Sequence, residues 1–413
     1  MKKVLLVILF FVCLFTQGQD PSFSQSDLNM IYTNPAFSGY EGTTKILSHT
    51  RMQWTGVNEN FNTSLLEFNL SIKLNPNNRK TKTTWAPGIG VIREDLGIKM
   101  FSGDNVFIDK TELMISPATF HMKIGKNWYL SGGASGTWKQ YSLSTNSLIF
   151  SNQWTEFGEF NQNLHSTLAA FGGSVIPLNT FDMSIGGIIT RQGRYQSNKG
   201  NRFLLGHSLH HIIPSNEKFW GPSIDDNKVP LKHITHLEWF YGFPKYQRSF
   251  IAYTKSFLKH ERYINNVNEA FIPSYWKESL ISKTEFGTTA FINRTPIEIG
   301  LLFRRIHQNE DTTKLFDEYK FQSLVPIMRY RLPNSRNLWI ISYSMDINIA
   351  SSDGFDFSNT LWTHEFGISI YLDAGNPKNK ECPAFGDMNN NALYQDIMNN
   401  GLLNKRNPKK NFK

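Results

Sequence analysis

The residues of this chain best suited to chemistry are five histidines, His207, His210, His211, His233 and His236. His207 and His211 stand four apart, the spacing that puts two imidazoles on one helical face and suits zinc. The stretch around them reads as a polar loop without a nearby acidic ligand, so exposed loop histidines and no metal are expected. A serine together with His364 and Asp346, on neighbouring segments, supplies the residue types of nucleophilic hydrolysis. Serine and aspartate there also fit a polar inner face, and no catalytic residue is assigned. Phosphate loops, dinucleotide fingerprints and nucleophile elbows are absent from the sequence, so no cofactor, no nucleic acid and no enzyme activity is implied.

The elements that carry these residues alternate with period two. In Asn337–Asn348 the residues Trp339, Ile341, Tyr343, Met345 and Ile347 share one parity, and Ser342, Ser344 and Asp346 the other. Leu361–Tyr371 repeats the pattern with Phe366, Ile368 and Ile370 against Thr363, Glu365 and Ser369. One apolar and one polar face per strand suits a sandwich or a membrane barrel.

Twelve further strands are predicted, at Thr43–Arg51, Asn62–Ile72, Ala86–Arg93, Thr111–Met122, Trp128–Gln140, His165–Ile176, Phe181–Thr190, Lys232–Tyr241, Tyr246–Thr254, Lys283–Ile292, Pro296–Ile306 and Phe321–Arg331. Tight connections, such as Lys123–Asn127, Pro177–Thr180, Gly242–Lys245 and Asn293–Thr295, alternate with long polar ones, such as Tyr141–Leu164, Arg191–Leu231 and Lys255–Ser282. A sandwich has no reason for that alternation; an outer-membrane barrel has, with short periplasmic turns and long external loops. Trp128 and Trp138 bracket one strand by about 25 Å of membrane height, where two aromatic girdles belong. The fold class is therefore all-β, a transmembrane antiparallel outer-membrane β-barrel of about 14 strands.

With 413 residues, 14% aromatic content and a mean hydropathy of -0.37, the chain is not a bundle of membrane helices. Lys2 and Lys3, an apolar run from Val4 to Phe15 and the small residues Thr16 and Gly18 make residues 1–18 a signal peptide, with a mature start near Gln19. Residues 19–42 read as a periplasmic or plug segment, 43–372 as the barrel, and 373–413 as a basic periplasmic tail. Of Cys13 and Cys382 only the second survives cleavage, so no internal disulfide is expected.

Several stretches resemble the PorP/SprF family of outer-membrane proteins of the Bacteroidetes type IX secretion system. They are Gln19-Asp20-Pro21, Phe23-Ser24-Gln25, Asn34-Pro35-Ala36-Phe37-Ser38-Gly39, then Arg51, Gln53, Trp54 and Gly56 closing the first strand, and Cys382-Pro383-Ala384-Phe385 after the last. The resemblance implies a barrel that helps secrete and anchor large surface proteins such as adhesins, some serving gliding motility. Its partners would be the type IX machinery, a large secreted surface protein and outer-membrane lipid. Phe23, Ser24, Gln25, Asn34, Pro35, Gly39, Arg51, Gln53, Trp54 and Gly56 would be structural or docking residues. The polar inner face leaves a second reading, a channel for a small solute.

Overall fold

Strands whose inner face is polar and outer face apolar bury the wrong residues for a soluble protein, and this chain does so throughout. Lys45, Lys255, Arg304 and Arg329 are among its most deeply buried side chains, whereas Leu66, Phe286, Ile299 and Phe366 stand exposed. That inversion is stable where lipid covers the outside. The computed structural model describes residues 23–28, 30–53, 61–74, 83–99, 105–125, 127–143, 178–192, 201–213, 229–242, 251–264, 279–292, 295–308, 321–333, 337–351 and 362–372.

Fourteen antiparallel strands form the wall: β1 (Thr44–Gln53), β2 (Phe61–Asn69), β5 (Gly88–Lys99), β6 (Asn105–Lys123), β7 (Trp128–Leu143), β8 (Leu178–Gln192), β9 (Asn201–His210), β10 (Leu231–Gly242), β11 (Ile251–Ile264), β12 (Ser279–Ile292), β13 (Ile297–Gln308), β14 (Phe321–Pro333), β15 (Leu338–Ser351) and β16 (Thr363–Leu372). Each pairs with its neighbours, and β1 with β16 closes the ring at Thr44↔Leu372 to Met52↔His364. Closure leaves no open edge, as a span through hydrocarbon requires. The short strands β3 (Ile72–Lys73) and β4 (Thr83–Trp85) form a hairpin that β4 attaches to the end of β6. This hairpin occupies the basic, Asn-rich connection between β2 and β5.

The predicted parity holds where it was cleanest. On β15, Trp339 and Ile341 face out, and Ser342, Ser344 and Asp346 face in. Four readings need correction. Arg191–Leu231 is not one connection, because it contains β9. Alternation fails there because Leu204 faces inward beside the outward Leu205, and Leu204 packs with Ile188 on an apolar turn inside the barrel. Lys255–Ser282 likewise contains most of β11 and the start of β12, hidden because β11 is polar on both faces beyond Leu258. Leu178–Thr180 is not a tight turn but the start of β8, opposite Tyr141 of β7. Tyr246–Thr254 is shifted, since β11 begins at Ile251. The predicted strand His165–Ile176 lies outside the described residues, as do residues 1–18 and 373–413.

One end of the barrel bears the connections 193–200, 243–250 and 334–337, with the turn between β6 and β7; the other bears 144–177, 211–230, 265–278, 309–320 and 352–362. Apart from 70–87, which carries the β3–β4 hairpin at the opposite end, the long connections still share one end, although 54–60 and 100–104 on that end are short.

Candidate functional site

The chain enters the barrel before it builds it. Residues 23–28 and 30–43 lie inside the wall as a series of turns, with helix α1 (Met30–Thr33) followed by a 3-10 turn, Pro35–Phe37. Proline opens the turn at a position that needs no N–H, and the Asn34 side chain accepts from the Ala36 amide at 2.9 Å. Phe37 and Tyr40 pack edge to face at 5.3 Å and join Ala36, Ile188 and Leu204 in a small apolar cluster.

The wall is shaped to receive this turn. Asn34 Nδ2 donates to the carbonyls of Gly187 at 3.3 Å and His207 at 3.2 Å. Thr119 Oγ1 donates to the Pro35 carbonyl at 3.0 Å, and Ser208 Oγ to the Thr33 carbonyl at 2.8 Å. His121 bridges Ser131 Oγ at 2.7 Å and the Ser38 carbonyl at 2.8 Å, and Tyr40 Oη lies 2.6 Å from Thr190 Oγ1. A Cβ at Gly133 would come within 2.6 Å of the Pro35 and Ala36 backbone, and one at Gly186 would strike the Asn34 side chain. Gly39 turns the chain back with φ +58, at the end of the motif.

The other half of the plug is held by charge. Ser24 and Gln25 donate their amides to Glu365 at 2.7 and 3.2 Å. Arg51 pairs with the same carboxylate and donates to Ser24 Oγ at 3.2 Å, which also accepts from Arg304 at 2.7 Å. Arg304 in turn meets Asp346 and, at 2.9 Å, Glu285. Asp27 takes a two-pronged contact from Arg329, 2.7 Å to each oxygen, and a third from Lys255 at 3.2 Å. Burial alone would raise the Asp27 carboxyl, but these two cations overcome it and hold the group well below the usual carboxylate range. Phe23 stacks on His49 at 4.7 Å, and Lys45 Nζ caps the Leu28 carbonyl at 2.7 Å.

The two motifs singled out in the sequence thus meet. Arg51 reaches Ser24, and the Asn34–Gly39 turn sits against β6 to β9, so Phe23, Ser24, Gln25, Asn34, Pro35, Gly39 and Arg51 all lie within the filled lumen. Gln53 ends β1 opposite Phe61, and Trp54 and Gly56 lie outside the described residues.

A model of the "Type IX secretion system membrane protein PorP/SprF" family matches residues 15–370. The chain belongs to the PorP/SprF family. As a closed barrel of a secretion-system membrane-protein family it is an outer-membrane protein associated with the type IX machinery. Similar solved structures include the CymD monoaromatic hydrocarbon channel, at 8% identity over 86% of this chain and 95% of that one, TM-score 0.43. The Ralstonia pickettii toluene transporter TbuX is similar at 11% identity over 86% and 95%, TM-score 0.40. The P. putida toluene transporter TodX is similar at 10% over 82% and 90%, TM-score 0.39. Among curated proteins no relative matches.

In this PorP/SprF barrel the histidines are wall residues, not loop residues. His207 and His210 belong to β9, His233 and His236 to β10, and His211 follows β9 directly. His210 lies 3.1 Å from the Thr33 carbonyl, His236 packs on Phe37 at 4.9 Å, and His211 bonds Asp182 at 2.5 Å. The residue types of a hydrolase do not assemble: Asp346 faces inward to Arg304, while His364 stands on the opposite face of the sheet beside Tyr343 at 2.9 Å. Sequence reasoning placed Glu365 and Arg304 on the inward parity, but it did not assign Glu365, Arg304, Arg329 and Lys255 as partners of the plug. For Glu365, Arg304 and Arg329 the signal was present, as charges on the inward parity between more apolar outward residues, whereas Lys255 stands between the outward Thr254 and Ser256 and gave none.

Proposed function

We propose that this barrel serves the type IX system by helping to secrete large surface proteins, adhesins and gliding proteins among them, and by anchoring them at the cell surface. The observation that carries this reading is the filled lumen. A segment bonded to the wall through Asp27, Ser24 and the Asn34–Gly39 turn leaves the barrel suited to scaffolding rather than to solute flow. The long connections at one end, 144–177 above all, supply the external surface for a secreted partner. The short end, with the β3–β4 hairpin and the basic tail 373–413, supplies the surface for the machinery. Residues 1–18 are the signal that directs export, and the mature chain starts near Gln19. The motif residues Phe23, Ser24, Gln25, Asn34, Pro35, Gly39 and Arg51 act in this reading by holding the plug and the first strand together, and Gln53, Trp54 and Gly56 act as docking residues.

The test is a loop deletion that spares the wall. Removing residues 150–170 should leave the barrel inserted, because shortening a loop between paired strands changes its closure entropy little. It should release a large protein from the surface, visible in a surface proteome and in pull-downs from native outer membranes. An unchanged surface proteome, together with stepwise solute conductance by the intact chain in planar bilayers, would replace the anchor with a channel.

A further inference from the structure

Strand β8 outruns its neighbour β9 at the long-connection end. The last pair between them there is Ile185↔Leu209. β9 has one residue left, His210, whereas β8 runs on from 184 to 178, roughly 20 Å of strand. The sequence ends β9 at this point. His211 takes a left-handed φ of 61, its ring bonds Asp182 at 2.5 Å, and the Ile212 amide makes a last contact with the Met183 carbonyl at 3.1 Å. Pro214 comes two residues later in the sequence and has no N–H to give a ladder. On its other side β8 stays paired with β7 up to Tyr141↔Leu178, and β7 with β6 up to Ile108↔Leu143. β8 is therefore the edge of a sheet that rises past the end of β9.

Backbone groups alternate in direction along a strand. Met183 turns its carbonyl toward the β9 side, so Phe181 and Asn179 turn their amides and carbonyls that way too. The Met183 amide is taken by Asp182 Oδ1 at 2.6 Å. Among the described residues nothing bonds the backbone of Phe181 or Asn179 on that side. Natural sheets blunt such an edge with Lys, Pro or an inward charge. Residues 178–184 include no Lys or Pro, and their one charge, Asp182, is already met by His211 and, at 3.7 Å, by Lys139. Asn179 and Phe181 are both exposed, Phe181 at 53%. Phe181 pairs with the exposed Trp138, and its ring lies over Gly136, where a Cβ would come within 3.1 Å of it. Trp138 belongs to the girdle at the long-connection end, so the edge sits at that interface, with Asn179 one step further from hydrocarbon.

Donors and acceptors at the spacing of a strand are matched by another polypeptide backbone. We propose that the open edge of β8 at Asn179 and Phe181 takes up an extended segment of the secreted surface protein as an added strand. This rests on the anchoring role and on the long-connection end facing outward. Backbone bonds to Asn179 and Phe181 supply the grip. Side chains supply the choice, aromatic or β-branched beside Phe181 on the outward face and polar beside Thr180 and Asp182 on the inward one. The sheet is already paired from β5 to β8, so only the incoming strand has to be ordered.

The experiment places the photo-reactive p-benzoylphenylalanine at Asn179 or at Phe181 of the full chain, crosslinks in native outer membranes and maps the adducts by mass spectrometry. Both positions should give adducts to one extended segment of one surface protein, about two residues apart, as successive outward positions of a strand require. Asn179→Pro removes an amide that points to the edge and not to β7, so that barrel should still insert and migrate faster unheated than heated. The same surface protein should fall by about tenfold in the surface proteome of this variant. If Asn179→Pro does not insert, the paired adducts decide alone. Adducts scattered over unrelated proteins, or none, would overturn the proposal. So would adducts to residues 165–176 of the same chain, which mark an internal pairing, or to a second copy, which mark a contact between barrels. An unchanged surface proteome in Asn179→Pro, with the protein still lost on deletion of 150–170, would overturn the edge and leave the anchoring role in place. No loss in either variant would overturn both.

Discussion

Asp27 shows how a single residue holds the plug. Its carboxylate satisfies Arg329 and Lys255, both among the most buried side chains of the wall. Removing one partner of such a buried cluster leaves charge uncompensated, at a cost on the order of 3–5 kcal/mol. Asp27→Ala should therefore loosen the plug without unfolding the barrel, whose strands keep their own ladders. The readout is protease cleavage near residue 25 of the inserted protein, together with a rise in conductance. Because the folded-state pKa is depressed, the stabilisation is complete above the ordinary carboxylate range and is lost only as pH falls through the lowered value. The difference in cleavage between wild type and Asp27→Ala should accordingly be the same at pH 7 and pH 5.5. Gly133→Val tests the apolar half: its side chain would displace the Pro35–Ala36 backbone, so the same protease should now cut beside Pro35 in a barrel that still inserts.

Strands carry the next scale, and there the sequence was legible where the plug surface that a strand meets is polar. β15 and β16 read cleanly because their inward faces meet polar plug groups, Gln25 and the Ser24 amide, so parity and polarity coincide. β8 and β9 read badly because the plug turn there is apolar and recruits Ile188 and Leu204 to the inner face. β11 was cut short because His260 and Arg262 put polarity on the outer face as well. The plug motifs could be found in the sequence, but their partners could not be assigned, since Glu365 lies 341 residues from Ser24. Two outcomes follow for the strands. Ile368→Arg, on the exposed face midway along β16, should cost roughly 2–4 kcal/mol in denaturant unfolding from vesicles, and Ile368→Leu almost nothing. Deleting 201–210 should abolish insertion altogether, since it removes a wall strand whose neighbours β8 and β10 do not otherwise pair.

Orientation belongs to the whole molecule, and it follows from strand count and direction once β9 is in place. With β9 present, residue 200 lies at the same end as residue 243, because Gln192 of β8 pairs with Arg202 and Tyr241 of β10 with Asn201. Residue 354 lies at the opposite end, between β15 and β16, with Asp346 and Thr363 paired below it. A plug that rises from Thr43 at the short end to Ser24 beside Glu365, near the far end of β16, blocks passage of a labelling reagent through the lumen. In intact cells a membrane-impermeant maleimide should therefore modify Gly354→Cys and spare both Gly200→Cys and Phe243→Cys, with all three reacting after detergent. Reaction at 200 but not at 243 would mean that β9 is absent from the wall and that 191–231 is a single external loop. Reaction at 200 and 243 alone would mean that the long connections face the periplasm. Reaction at all three in intact cells, with Gly354→Cys the fastest, would mean that the lumen is open to the reagent and that the segment from Phe23 to Thr43 leaves the barrel in the membrane.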